Sequence, residues 1–473
     1  MDRWDTIVVG SGSGGLTAAV ALARAGQRVL VLEQHYLPGG WTHSFALDGY
    51  RFSPGVHYIG ELGSGEGVRA LYEGLGLSAD LTFHELHPDG FDHFVIGGER
   101  FDVPRGFDRY FERLVSRFPH ERKGLERYFD VVGRIVSDTL RCEDLLVSPR
   151  GALALPFRGK SLAAWGLRTR VRRILVESGR AAGVELASGE RILARAVVSN
   201  ADPAITFGAL LEPPHGDRER RKIRRVEYSA GLLSVFCATD LDLPAMGLDS
   251  GNYWWYRTFD VNGVYERALH ALPHGIVEGL FLTVTTLKDP GHAPNGHHTL
   301  ELFTFVPYEP FEDWAGNAAA RPAGYHDLKE RLGDAMIAAA ERVIPGLGKN
   351  LTFRAVGTPL TNDFYCETHR GASYGTAKIP AQLGPFSFPI RSSVPGLYSV
   401  GASTLSHGVA GAATSGLFAA RDLLGLRRIE DLLAPSDGSL QVVLASDLAP
   451  ASGARRPAHA APLEDDADDA LAS

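Results

Sequence analysis

The feature that most constrains this chain lies at its N-terminus. A short run, D-T-I-V-V at 5–9, meets a glycine turn, G-S-G-S-G-G at 10–15. The turn opens into the alanine-rich stretch L-T-A-A-V-A-L-A-R-A at 16–25, and Gly26-Gln27 turns the chain into R-V-L-V-L-E at 28–33. Short apolar runs flanking a helix-forming stretch, with glycines at both junctions, predict a βαβ unit. The turn fits G-x-G-x-x-G. Gly10 permits the tight bend, Gly12 lets the backbone approach a pyrophosphate, and Gly15 lets the helix pack on the strand, with Gly14 beside it in the same turn. Glu33 ends the second strand, where a carboxylate accepts the ribose hydroxyls of an adenosine. The chain is therefore expected to open on a Rossmann-type dinucleotide-binding unit.

Two further glycine clusters bear on which dinucleotide. Gly39-Gly40 follows Glu33 closely and lets the backbone pass a second part of the cofactor, as FAD requires. Late in the chain, G-L-Y-S-V-G at 396–401 reads as a strand ending in Gly401. Then G-V-A-G-A at 408–412, with Val409 and Ala410 in its first turn, opens a helix running to about Leu424. A second strand-to-helix junction of this kind suits closure over a flavin, its helix N-terminus facing the ligand.

With 473 residues the chain can form one large or two interleaved domains. A net charge of -8 gives no reason to expect nucleic-acid binding. The three cysteines, Cys142, Cys237 and Cys366, have no metal-site or disulfide spacing, so no metal is expected and a reducing, cytoplasmic setting fits. The opening does not read as a signal peptide, and no stretch reads as a bilayer span, which leaves peripheral membrane contact open. Residues 107–140 have helical spacing. Residues 167–199 read as a β-meander turning at Ser178-Gly179 and Ser188-Gly189. Runs at 231–238 and 298–306 read as strands, and 325–343 as an amphipathic helix. The tail, 428–473, becomes rich in Ala, Pro, Ser and Asp and is expected to be disordered.

With these segments in place, the chain resembles the phytoene desaturase, carotenoid isomerase and retinol saturase group of flavoproteins. V-V-G-S-G-S-G-G-L-T-A-A at 8–19, L-E-Q-H-Y-L-P-G-G at 32–40 and G-Y-R-F-S-P-G-V-H-Y-I-G at 49–60 carry the likeness. P-L-T-N-D-F-Y at 359–365, R-G-A-S-Y-G at 370–375 and L-Y-S-V-G-A-S-T at 397–404 extend it. The resemblance implies an α/β fold: a Rossmann-type FAD-binding domain, of the glutathione-reductase-like or amine-oxidase-like kind, with an interleaved α+β substrate domain. The FAD-binding domain is expected at 1–62, 160–212 and 352–427, and the substrate domain at 63–159 and 213–351. Gly10, Gly12, Gly15 and Glu33 would hold the ADP half of FAD, and Gly39 and Gly40 would lie along it. Val171 would meet the adenine through its backbone, and Gly401 and the helix after Gly408 would approach the flavin. The implied substrate is an apolar polyene or isoprenoid, with an external electron donor or acceptor. The family's long helical segment and Tyr-Pro-x-Gly-Gly stretch are missing before the meander. Only residues 146–166 stand there, which implies a wider, wetter cavity.

Moving hydrogen at a carbon–carbon bond needs little acid–base help when a flavin carries the hydride. Saturation needs one proton besides, and His57 and Tyr58 are the nearest candidates to supply it; both also read as packing residues. Tyr365, Tyr374 and His407 fall near the late flavin segment and are open to the same two readings. His297-His298 reads as a surface pair. Tyr253-Trp254-Trp255-Tyr256 could line a tunnel or fill a core. Desaturation, saturation, isomerisation, and FAD or lipid binding without turnover all remain compatible with these residues.

Overall fold

The computed structural model describes residues 3–145, 162–166, 168–294, 296–316 and 321–448. Two seven-stranded sheets organise them.

The first sheet grows from the N-terminal unit. Trp4–Val9 pairs in parallel with Arg28–Leu32 on one side and Arg191–Ser199 on the other. Leu162–Gly166 extends it beyond Arg28–Leu32, and Leu397–Ser399 adds a parallel strand beside Arg191–Ser199. The meander strands Val171–Glu177 and Arg180–Leu186 continue it antiparallel. The apolar runs need burial on both faces, and the side chains divide by alternation. Val8, Val29, Val31 and Val198 pack under two helices, Ser13–Arg24 and Gly408–Leu424. Ile7, Val9, Leu30, Leu32 and Val197 pack on the opposite face with Ile174, Val184 and Phe207.

The second sheet runs Leu351–Gly357, Gly231–Thr239, His298–Val306, Gly279–Val284, Asn252–Tyr256, Asp92–Ile96, Glu99–Val103. One face is covered by the helix Ala323–Ala340, whose Leu332, Met336 and Ala340 are fully buried. The other face carries an aromatic rung, Phe94, Trp254, Phe281 and Phe303, paired in register across four strands. Phe281 and Phe303 on that face cluster with Phe236 and with Tyr50 and Phe52 of the N-terminal segment.

The helical stretch expected at 107–140 is two helices, Phe107–Arg117 and Arg122–Leu145, broken at Phe118-Pro119 because proline disfavours helix in the residue before it. The expectation of a disordered tail from 428 is corrected up to residue 448. Gln441–Leu444 forms a strand parallel to Thr82–Glu85. Buried Glu73 accepts hydrogen bonds from the Ser436 hydroxyl and from the backbone N–H of Gly438 (3.2 Å) and Leu440 (3.1 Å). The polar tail composition concealed this short Q-V-V-L run and the distant carboxylate that ties it down. Residues from 449 onward, and 146–161, lie outside the described residues, so the expected openness left by the short central stretch falls there.

Candidate cofactor cleft and adjoining cavity

The N-terminal glycine turn and the late junction meet in one cleft. Its walls include Gly10, Gly12, Gly14, Glu33, Gly39, Gly40, Val171, Gly401 and Val409. Gly15 packs just behind, and Ala410 lies one residue past Val409 in the first turn of the late helix. The glycines are fixed by close approach. A Cβ on Gly15 would fall 2.2 Å from the Gly10 carbonyl oxygen. One on Gly14 would meet the Gly401 nitrogen and the Ala412 oxygen, both at 2.9 Å.

Asn200 ties this arrangement together. Its Oδ1 accepts from Gly15 N–H at 3.1 Å, and its Nδ2 lies 2.5 Å from where a Gly12 Cβ would be. Sequence reasoning missed Asn200. The available signal was S-N-A-D-P at 199–203, a polar stop directly after the meander's last strand.

Glu33 is buried and already partnered. Its Oε2 accepts from Ser11 N–H (2.8 Å) and Ser11 Oγ (2.6 Å), and its Oε1 from His35 N–H (2.9 Å). Ser11 Oγ in turn accepts from Gly39 N–H at 2.9 Å. The carboxylate therefore orders both glycine loops, with one lone-pair site, on Oε1, left for a ligand hydroxyl.

Both helices start at the cleft without a side-chain cap, the first at Gly12 and the late one at His407. Their first-turn N–H groups face the ligand space, where they suit a pyrophosphate and the electron-rich edge of a flavin. Arg170, on the cleft wall, is paired with Glu367 at 2.8 Å. His35 and His43 stand near the glycine loops, and burial lowers the proton affinity of both. The backbone cradle, the buried carboxylate at the second strand's end and the two helix ends fit a flavin dinucleotide.

A second cavity of about 110 Å³ adjoins the cleft, sharing Gly55, Leu232 and Tyr374 with its walls. Its floor is the aromatic rung of the second sheet, Trp254, Phe281 and Phe303, flanked by Tyr256 and Tyr265. Of the aromatic run at 253–256, Trp254 and Tyr256 line this cavity, while Tyr253 is buried in the core on the opposite face.

His57 reaches the cavity; Tyr58 is 47% exposed and is not among the lining residues. The His57 ring packs 4.7 Å from Phe303 and 5.3 Å from Phe281, centroid to centroid. Its Nδ1 lies 2.9 Å from Glu301 Oε2. Tyr365 lines the cofactor cleft edge-on to His35, and burial pushes its hydroxyl up to about 12. Tyr374 stands between cleft and cavity against His407. His297 and His298 are half-buried rather than on the surface, bonded to the Tyr50 hydroxyl (2.7 Å) and Thr286 Oγ1 (2.9 Å). Among the described residues, no cluster of His, Cys, Asp and Glu could hold a metal, and no helix is long and apolar enough to cross a membrane.

A cleft of this build belongs to the Rossmann class of flavin-dependent oxidoreductases. Residues 8–75 match the pattern of a NAD(P)-binding Rossmann-like domain, and residues 160–424 that of the flavin containing amine oxidoreductases. The second match spans more than half of the sequence, and the chain belongs to the flavin containing amine oxidoreductase family. Curated relatives include prolycopene isomerase of Daucus carota, chloroplastic, 26% identical over 91% of this chain and 82% of its own. All-trans-retinol 13,14-reductase of Homo sapiens is also 26% identical, over 91% of this chain and 87% of its own. Among solved structures, wild-type putrescine oxidase bound to putrescine matches with a TM-score of 0.56 at 16% identity, over 90% of this chain and 99% of that one. Cyclohexylamine oxidase from Brevibacterium oxydans gives 0.53 at 17% identity, over 90% and 99%. At such identities the solved structures establish the fold alone.

Proposed function

We propose that the protein is an FAD-dependent oxidoreductase acting on carbon–carbon bonds of a carotenoid-like or retinoid-like polyene. The observation that carries this is the aromatic-floored cavity beside the cofactor cleft, with Gly55, Leu232 and Tyr374 lining both. A conjugated chain is flat, apolar and polarisable, and it is best held by stacked and edge-on rings in a water-poor slot. The relatives named for prolycopene and all-trans-retinol support the same substrate class.

Residues 1–62, 160–212 and 352–427 would form the FAD-binding domain, and 63–159 and 213–351 the substrate domain. Glu33 would accept the ribose hydroxyls. The turn at Gly10, Gly12 and Gly14 would take the pyrophosphate, and Gly39 and Gly40 would run beside it. Val171 would border the adenine, and Gly401, Val409 and Ala410 would border the flavin. FAD supplies hydride transfer when bound. The protein's part is to orient the polyene, exclude water and hold a proton at His57. Tyr58, half-exposed, stands as a second, outer candidate. An external two-electron donor or acceptor completes turnover. The exposed aromatics Phe107, Phe118, Tyr128 and Phe259 support peripheral contact with a membrane, from which an apolar substrate would be drawn. Redox-neutral isomerisation is a second reading, favoured by the isomerase relatives.

The test is the visible spectrum of the purified protein and mass spectrometry of the ligand released on heating. Reduced enzyme is then incubated with all-trans-retinol and with C40 polyenes, and product and peroxide are followed. Yellow protein, released FAD and a saturated, desaturated or isomerised product with little peroxide is the expected result. Colourless protein that takes up no added FAD would refute the cofactor. FAD with peroxide but no product would refute the substrate class.

A further inference from the structure

The aromatic rung has a polar neighbour. Two residues along each strand, on the same face, Asp92, Asn252, Thr283 and Glu301 also pair in register. Asn252, Thr283 and Glu301 are fully buried and Asp92 nearly so. Asp92 Oδ1 accepts from Trp254 Nε1 at 3.1 Å and Asn252 Nδ2 at 3.4 Å. Lys288 closes the group from above, its Nζ donating to Asn252 Oδ1 (2.5 Å) and to the His57 carbonyl (2.9 Å). Ser53 N–H donates to Glu301 Oε1 at 2.5 Å.

The pairing is incomplete at one place. Glu301 Oε2 and His57 Nδ1 are 2.9 Å apart but not aligned as a hydrogen bond, and Thr283 Oγ1, beside Glu301 in the rung, has no partner. Half-paired polar atoms in a buried, aromatic setting cost stability that an apolar rung would not. Such a cost invites a functional explanation.

We propose that Glu301 and Lys288 are positioning residues that make His57 the proton-exchange group of the cavity. The inference rests on the polyene reading above. Glu301 stands against Nδ1, which leaves the Nε2 side of the ring for the cavity, and Lys288 pins the main chain at His57. In a saturation, the π pair of one C=C bond is consumed and two C–H bonds form. A bound reduced flavin would supply the hydride equivalent for one carbon, and an external two-electron donor would recharge it. The other carbon receives the proton of His57, whose neutral imidazole regains one from water. In the reverse direction His57 accepts the proton.

The experiment uses holoenzyme variants Glu301→Gln, Glu301→Asp, Lys288→Met and His57→Phe, each checked for flavin spectrum and melting temperature. With all-trans-retinol in D2O, the wild type should place a solvent deuteron at the carbon that His57 protonates, and His57→Phe should slow its incorporation there. His57→Phe should lower kcat by roughly 10²-fold or more. Glu301→Gln should lower kcat about tenfold with KM within about threefold, and move the neutral limb of the pH–rate profile downward by about one unit; Glu301→Asp should restore part of both. Selective ¹⁵N-histidine NMR reads the same arrangement without turnover: Glu301→Gln and Lys288→Met should each change the His57 ring-nitrogen shifts and their titration. Unchanged His57 resonances and titration in Glu301→Gln would overturn the proposal. If they change as expected but the wild type converts no polyene, the substrate reading fails and the positioning role stands.

Discussion

Gly416 sits where the late helix crosses the first. A Cβ placed there would fall 2.3 Å from the Gly14 carbonyl oxygen, 2.9 Å from Ala18 N and 3.1 Å from Thr17 Cβ. Two opposite effects follow from Gly416→Ala. Helix propensity favours alanine over glycine by about 1 kcal/mol. Against it, the carbon must withdraw by roughly 1 Å to reach ordinary contact distance. The two nearest atoms in its way are backbone, so it is the helix that has to move. Overpacking of this kind costs about 1–3 kcal/mol, and the net expectation is destabilisation by about 1–2 kcal/mol. The displaced helix also carries Ala412, whose carbonyl packs against Gly14 in the glycine turn. FAD affinity should therefore fall about tenfold together with stability. Chemical denaturation and titration of apoprotein with FAD, read at the flavin absorbance, measure both. A Gly416→Ala protein that is more stable than the parent, with unchanged affinity, would mean that propensity wins and that the helix crossing is looser than described.

Glu33→Ala should weaken FAD binding by about 1.5–3 kcal/mol through lost charge-assisted hydrogen bonds, and should also lower the melting temperature, since Ser11 and His35 lose their acceptor; a dissociation constant within twofold of wild type would contradict this. Burial pushes the Lys288 ammonium down to about 7, although the residue as a whole is only partly buried. Between about pH 7 and the ordinary lysine range the unfolded chain therefore holds the extra proton, so stability should rise with pH by up to about 1.4 kcal/mol per unit, with no such gain below pH 7. Denaturation curves at pH 7, 8 and 9 should show that slope in the wild type and a shallower one in Lys288→Met; parallel slopes would count against it. Glu73→Ala should free the segment at 436–444, seen as faster amide exchange there with the flavin spectrum intact.

The N-terminal βαβ unit was legible because every signal in it is local: a glycine spacing, an apolar run, a carboxylate at a strand end. The meander was legible for the same reason, its hairpins marked by Ser178-Gly179 and Ser188-Gly189, and the strand His298–Val306 emerged with the bounds expected of it. The other half of the site was not. Lys288 is 231 residues from the His57 carbonyl it binds, and Asn200 is 185 from Gly15. A glutamate within H-T-L-E-L-F-T-F-V looks like a solvent-facing residue of an alternating strand; only the pairing of four strands reveals that its face is buried. Asn252 and Thr283 are concealed in the same way. Tyr58, adjacent to His57, shows the converse: neighbours in an extended segment point to different places, so a dipeptide of plausible proton donors divides into one inside the cavity and one outside.

The hydroxyl of Ser13, in the first helix, bonds the carbonyl of Val409 in the late one, across 396 residues of chain. At about 5–20 residues per second, a ribosome needs on the order of 20 s or more to travel that distance. Throughout that interval the nascent first helix lacks the late half of its cluster, Ala413, Leu417 and Ala420, which in the finished protein packs with Ala18 and Leu22. Capture of flavin is then an event of late or completed synthesis, and a message truncated anywhere before codon 424 should yield polypeptide that is colourless and prone to clearance by proteolysis, however intact its dinucleotide fingerprint.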